Sequence, residues 1–293
     1  MDLLKVGYGQ TFNNNFDNAS ASTEVKFFEA DLTFPVVIND KNALITGVVF
    51  SKNRLQLYPD DDRDIIYSGV DQNNYANLFS TTLKLGLAST YNEKWSSTIV
   101  LLPKIASDYN KIKSDDFYMG GLALLKLQKK ENLIYRFGFY GTTEAFGFFT
   151  TPIIGWYYLS ENNKFEMDMS LPIAADINYD LGALTLGIDY FGIGRSFRLY
   201  GDEESSSSYV DLSSLEFASY AQISALQKCV LLRAKLGYAT SNYEVYADGD
   251  KIDLGVSAFS FGDNRQQLNP RISGGVYFKI EAIYRFQISE KTN

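Results

Sequence analysis

The sequence predicts an all-β protein: a closed, antiparallel, up-and-down transmembrane β-barrel of fourteen strands, with twelve as the alternative count. Short periplasmic turns and longer extracellular loops connect the strands. Three observations predict this. Apolar and polar residues alternate with a period of two through most of the 293 residues, as in strands with one apolar and one polar face. Short polar turns alternate with longer polar segments, the connection pattern of outer-membrane barrels. Finally, 21 Tyr, 21 Phe and 2 Trp occur in a chain of slightly negative mean hydropathy, so the apolar residues are dispersed. No run approaches the ~18–20 consecutive apolar residues of a membrane-spanning helix.

The elements follow in order. The first strand covers about 3–12, where Leu4, Val6 and Tyr8 alternate with Lys5, Gly7 and Gly9. Phe79 to Leu87, Leu133 to Phe139 and Val276 to Phe286 show the same alternation, and the last strand covers about 275–286, before a short tail at 287–293. Short turns are expected at 39–42, 92–94, 129–132, 160–163, 180–182 and 227–228, each between two alternating runs. Longer loops are expected at about 13–22, 53–76, 107–116, 142–147, 200–210 and 247–272. Six turns make twelve strands, and the first and last strands raise the count to fourteen. The run 165–181 alternates without interruption. An outer turn is placed near Leu171-Pro172, because proline is excluded from paired strand interiors and a single strand would make the count odd. Residues 1–293 are read as one outer-membrane barrel domain.

A soluble β-sandwich alternates too, but its outward face is charged. Here the polar face holds many small residues, such as Gly7, Gly86, Gly138, Gly187 and Gly237. Aromatic residues cluster near strand ends, and Trp156, Tyr157, Tyr158, Tyr284 and Phe286 are assigned to the bilayer interfaces, which suit rings with a polar tip.

Leu186-Gly187-Ile188-Asp189-Tyr190-Phe191-Gly192-Ile193-Gly194-Arg195-Ser196-Phe197 and the closing stretch from Gly275 to Phe286 resemble a Bacteroidota-type outer-membrane β-barrel family of uncharacterised function. The resemblance implies fold and location, and it carries no catalytic residue.

Composition narrows the chemistry. There is no His and one Cys, which excludes histidine nucleophile relays, histidine general bases, histidine- or cysteine-based metal sites and internal disulfides. Barrel phospholipases, deacylases, acyltransferases and aspartyl-type proteases resemble one another in relying on a histidine, so no enzyme is expected. Glu166 and Asp168 share one strand face, a carboxylate pair that is common lumen lining. Cys229 reads as an incidental small residue. A net charge of −8 argues against nucleic acid, which needs a basic face. The acidic stretch Asp60-Asp61-Asp62-Arg63-Asp64 lacks the glycine and distal glutamate of a calcium loop and reads as solvated, as does Asp202-Glu203-Glu204 with the serines up to Ser208. No catalytic residue, metal site or cofactor is assigned.

The inward faces carry the candidate functional residues. Cations are expected inside at Lys5, Lys84, Lys126, Arg136, Arg233, Lys235, Lys279 and Arg285, and anions at Glu29, Asp31, Glu166, Asp168, Asp176, Asp180, Asp189, Glu216 and Glu281. From Glu166 to Glu216 the set is acidic, and from Arg233 to Arg285 mostly basic. Two readings follow: a field across a water-filled pore, or a salt-bridge network that plugs it. The expected function is a non-enzymatic channel for small polar solutes, and the alternative is an accessory or scaffold subunit of a larger outer-membrane complex. Expected partners are outer-membrane lipid and, in the alternative, other outer-membrane proteins. The expected location is the outer membrane of a Gram-negative bacterium. No signal peptide is visible, so the numbering is expected to be that of the processed chain.

Overall fold

The computed structural model describes residues 2–17, 19–59, 74–200 and 207–286. Fourteen strands account for the wall: β1 Asp2–Phe12, β2 Lys26–Asn39, β3 Asn42–Leu55, β4 Ala76–Thr90, β5 Trp95–Ser107, β6 Phe117–Lys130, β7 Leu133–Glu144, β8 Gly147–Leu159, β9 Phe165–Leu171, β10 Ala174–Asp180, β11 Leu184–Leu199, β12 Ser208–Ala225, β13 Val230–Ala239 and β14 Gly275–Arg285. Each pairs antiparallel with the next. β14 pairs with β1 from Tyr284↔Leu4 to Val276↔Phe12 and closes the ring. The count is fourteen.

One end of the barrel carries the six short turns, and asparagine side chains build several of them. Asn39 Oδ1 accepts the amides of Lys41 and Asn42 at 3.0 and 2.9 Å, and Asn92 Oδ1 does the same for Lys94 and Trp95 at 2.9 Å. A short acceptor side chain that captures its own downstream amides makes these turns tight. At the opposite end the run 165–181 breaks at Pro172-Ile173, with β9 before it and β10 after it. One expectation fails there: 142–147 is no loop, because β7 reaches Glu144, β8 starts at Gly147 and only Ala145 and Phe146 turn the chain. Asp60–Asp64, Asp202–Glu204 and the tail 287–293 lie outside the described residues.

The barrel is inside-out relative to a soluble fold. Leu83, Leu85 and Leu87 on β4, Phe137 and Phe139 on β7 and Val276, Phe278 and Ile280 on β14 are all exposed, Leu85 by 50% and Phe139 by 66%. On the other face Lys235, Lys279 and Glu281 are buried. A continuous exposed apolar belt around a closed sheet is the surface of a barrel that crosses a bilayer, where every backbone group finds a partner within the sheet.

β9 and β10 are only seven residues each, while the flanking β8 and β11 have thirteen and sixteen. The upper halves of β8 and β11 therefore lose their neighbour. On β8 the vacated edge is taken by the short strand Leu254–Val256, parallel at Phe149↔Gly255 and Thr150↔Val256, which turns back through Phe259–Phe261. On β11, Gly192 N donates to Ile173 O at 2.7 Å. Further up, Ser196 N and Oγ both donate to Glu144 Oε2 at 2.8 Å, and Asp108 N donates to Arg198 O at 2.9 Å. These bonds lay the upper end of β11 across the ends of β7 and β5. β12 follows it, with the strand Asn242–Ala247 on its other side.

The result is a cap. Phe146, Phe197, Tyr209, Val210, Leu212, Tyr243, Val245, Ile252 and Ile272 bury themselves against Leu55, Leu57 and Leu78 from the strand ends. This apolar core packs over the loop end.

Glu144 is the clasp of the cap. It is fully buried, pairs with buried Lys104 at 2.5 Å and also accepts Thr142 Oγ1 at 3.1 Å. Glu144→Ala leaves a buried ammonium without its partner, a loss of about 3 kcal/mol or more. The expected outcome is faster amide hydrogen exchange at Ser196 and along the upper half of β11, with the exchange of β3 to β5 in the apolar belt unchanged.

Candidate functional site: two stacked chambers

Alternation places the charged residues of the lower wall on one face, and the closed ring brings those faces together. They surround a chamber of about 740 Å³ toward the turn end, lined by Lys5, Glu166, Asp168, Asp176, Asp189, Glu216, Arg233, Lys235, Lys279, Glu281 and Arg285. Glu29, Asp31 and Asp180 line it too. Arg136 lies on the adjoining wall, bound to Asp168, and Lys84 lines the chamber above.

The charges pair along the wall. β10 and β11 supply Asp176 and Asp189, β13 supplies Arg233 and Lys235, and β12 stands between β11 and β13. Arg233 Nη1 lies 3.3 Å from Asp176 and 3.8 Å from Asp189, and Lys235 is bound to Asp189. Tyr220 on β12 bridges the gap: its hydroxyl donates to Asp176 at 2.7 Å, and the Arg233 guanidinium stacks on its ring at 4.0 Å. The ring has room because its register partner is Gly187, where a Cβ would stand 2.4 Å from the ring.

The acidic and basic strands thus abut and do not face each other across the lumen. The network coats the wall and leaves the chamber open.

Glu281 is the centre of this network. It is wholly buried, with Lys5 at 3.1 Å, Lys279 at 3.3 Å, Lys235 at 3.4 Å and Arg233 at 4.0 Å. Neither of its oxygens has a hydrogen bond of good geometry, so the field of four cations holds it. Lys279 is shared with Glu29 at 2.8 Å, and Lys84 with Asp31 at 2.5 Å. At the turn end Asp180 accepts from Lys228 at 2.8 Å. In the cap, burial pushes the Asp108 carboxyl up, although it accepts the Tyr200 amide at 3.0 Å.

A second chamber of about 730 Å³ lies under the cap and is largely apolar. Its lining includes Val49, Leu102, Tyr140, Phe146 and Phe149, with Ser51, Lys84, Lys104 and Arg195. The two chambers share Val49, Tyr190, Phe191 and Arg195. Arg195 is a residue that the inward set from the sequence omitted. The signal was available: counting in twos from Asp189 along β11 puts Arg195 on the lumen face. Lys104 and Glu144 were likewise omitted, since one sits at a strand end and the other in a supposed loop.

Trp156 and Tyr158 alternate on the outer face of β8, and Tyr158 packs against Phe165 of β9 at 6.4 Å between centroids. Tyr284 and Phe286 are exposed. Tyr157 departs from its assignment, because the same alternation turns it inward, where its phenol interacts with Glu166 and Asp168. Among the described residues no three metal-ligating side chains gather.

Residues 67–185, less than half of the chain, match the model of a family described as a domain of unknown function (DUF6268). No curated protein matches. Solved structures of similar form include the P. putida toluene transporter TodX, with 9% identity over 97% of this chain and 89% of that one at a TM-score of 0.38. The beta domain of the Bordetella autotransporter BrkA has 10% identity over 98% and 100%, with a TM-score of 0.33. Acinetobacter baumannii OccAB4 has 10% identity over 97% of each chain, with a TM-score of 0.28. These are likenesses of general form at low identity.

Glu281→Gln removes the one anion shared by four cations, a loss of about 3 kcal/mol or more. The expected outcome is a clearly lower urea midpoint for unfolding in detergent, and Lys235→Met in the same background recovers part of it by removing one uncompensated cation.

Proposed function

We propose that the protein is an outer-membrane channel for small polar solutes, with its turns in the periplasm and its cap outside. The resemblance to a Bacteroidota-type barrel family belongs to this reading. One observation carries it: the lower chamber is preformed and polar, and it adjoins the upper chamber at Val49, Tyr190, Phe191 and Arg195, which line both. Side chains locked in ion pairs keep fixed positions, so the chamber presents a static pattern of both signs that favours dipolar and zwitterionic solutes. The apolar cap is the closed state of the outer end.

Reconstitution into planar bilayers tests the proposal. Discrete conductance steps are expected. They become larger or more frequent when residues 254–261, the hairpin on the free edge of β8, are deleted. Arg233→Gln, which removes a lower-chamber cation, is expected to shift the reversal potential under a salt gradient toward cations. Silence from both the full chain and the deletion overturns the proposal.

A further inference from the structure

The upper chamber is not confined to the lumen. Its lining includes residues from the inner face of the wall, Val49, Ser51 and Arg195, and residues from the outer face, Tyr190, Leu215 and Tyr238. A single cavity touches both faces only where the wall is interrupted. The interruption is the step above the short β9–β10 hairpin. There the ladder to β11 ends with Gly192 N on Ile173 O, and the next bond on that edge is Ser196 N to Glu144. Between these two points the edge of β11 has no strand beside it.

Glycine keeps the step open. Gly192 and Gly194 lie opposite Leu215 and Ser213 of β12. A Cβ added at Gly194 would touch only the Phe149 ring, at 3.7 Å, so at this point the step is bounded by Phe149 of β8. Leu215 and Tyr238 are exposed beside this opening and belong to the apolar belt. The doorway therefore faces the hydrocarbon edge of the bilayer, and what enters by it is a molecule already dissolved there.

The polar end of that molecule follows from Arg195. The other ions lining the chamber near it have partners: Lys84 with Asp31 at 2.5 Å, Lys104 with Glu144 at 2.5 Å, and Asp211 with Arg265 at 2.9 Å. Arg195 donates from Nη1 to Ser51 Oγ at 2.9 Å and forms no ion pair among the described residues. Its remaining donors open onto the cavities it lines. Glu29 and Glu216 line a 30 Å³ space with it on the lower side, and Glu29 is tied to Lys279. A second cation, Arg271, stands exposed at the outer end of the cavity. A planar guanidinium with free donors at the floor of an apolar chamber matches a carboxylate. A volume of 730 Å³ is that of a pocket for a drug-sized ligand.

We propose that the upper chamber binds an amphipathic monocarboxylate, which enters sideways above the β9–β10 hairpin, places its apolar chain against Phe149 and Leu102 and its carboxylate on Arg195. This goes beyond conduction of polar solutes and shares with that reading only the placement in a membrane.

The test uses the full chain in phosphatidylcholine nanodiscs, with radiolabelled dodecanoate as the probe, 1-dodecanol as its uncharged counterpart and empty discs as the background. Wild-type protein is expected to retain dodecanoate above the background. Arg195→Gln weakens that binding about tenfold, the value of one charge-assisted hydrogen-bonded contact, and leaves 1-dodecanol unchanged. Arg195→Lys restores most of the affinity. Gly194→Trp, which fills the doorway, abolishes retention of both probes while circular dichroism stays that of the wild-type barrel. The proposal is overturned by wild-type retention equal to empty discs, by an Arg195→Gln affinity equal to wild type, or by a Gly194→Trp protein that binds normally. A barrel silent in planar bilayers would overturn the channel reading and leave this measurement intact.

Discussion

In hydrocarbon no water is present to satisfy a backbone N–H or C=O, so a membrane sheet must close and every strand must have two neighbours. The upper part of this barrel is organised by one breach of that constraint. β9 and β10 stop after seven residues, and two neighbouring strands run on without them. Each free edge is then satisfied from elsewhere: β8 by the strand at Leu254–Val256, and β11 by Ile173, Glu144 and the end of β5. Because the partners of β11 stand across the barrel, satisfying it draws β11 and β12 over the opening. The cap, its apolar core and the side step all follow from two short strands.

The interior obeys a second constraint. A buried charge is tolerated only with a partner, and inward charges on strands a few places away around the wall are the partners within reach. Pairing therefore runs around the wall between strands one to three places apart, from Asp176 and Asp189 to Arg233 and Lys235, then to Glu281, Lys279 and Lys5. A network of this form occupies the circumference and leaves the axis free, which distinguishes it from a plug. It also makes the sign pattern of the lumen a consequence of strand order.

Much of this was legible along the chain. A period of two separates the lipid face from the lumen face, and it places Lys5, Arg136, Glu166, Asp168, Arg233 and Glu281 together on the inner side before any pairing is known. The turns were readable because asparagine makes them by a local mechanism. What misled was polarity with two origins. Thr142, Thr143 and Glu144 read as a loop since loops are polar, yet Thr142 and Glu144 are polar because they sit in a buried network with Lys104 and Ser196. Tyr157 read as an interface residue because it lies among aromatics, although its neighbours on the same face are carboxylates.

By itself, then, the sequence determined the strand period, the number of strands, the turn end and many of the inward charges, because each is a property of a few consecutive residues. Tertiary structure alone decided which charges meet, that an apolar core packs at the loop end, and that the β10–β11 ladder stops at Phe191 while β11 runs on beside the upper chamber. Those features depend on contacts between residues far apart in the chain, such as Ser196 with Glu144 and Lys279 with Glu29. A two-residue repeat records which side of the sheet a residue faces and holds nothing about what stands across from it.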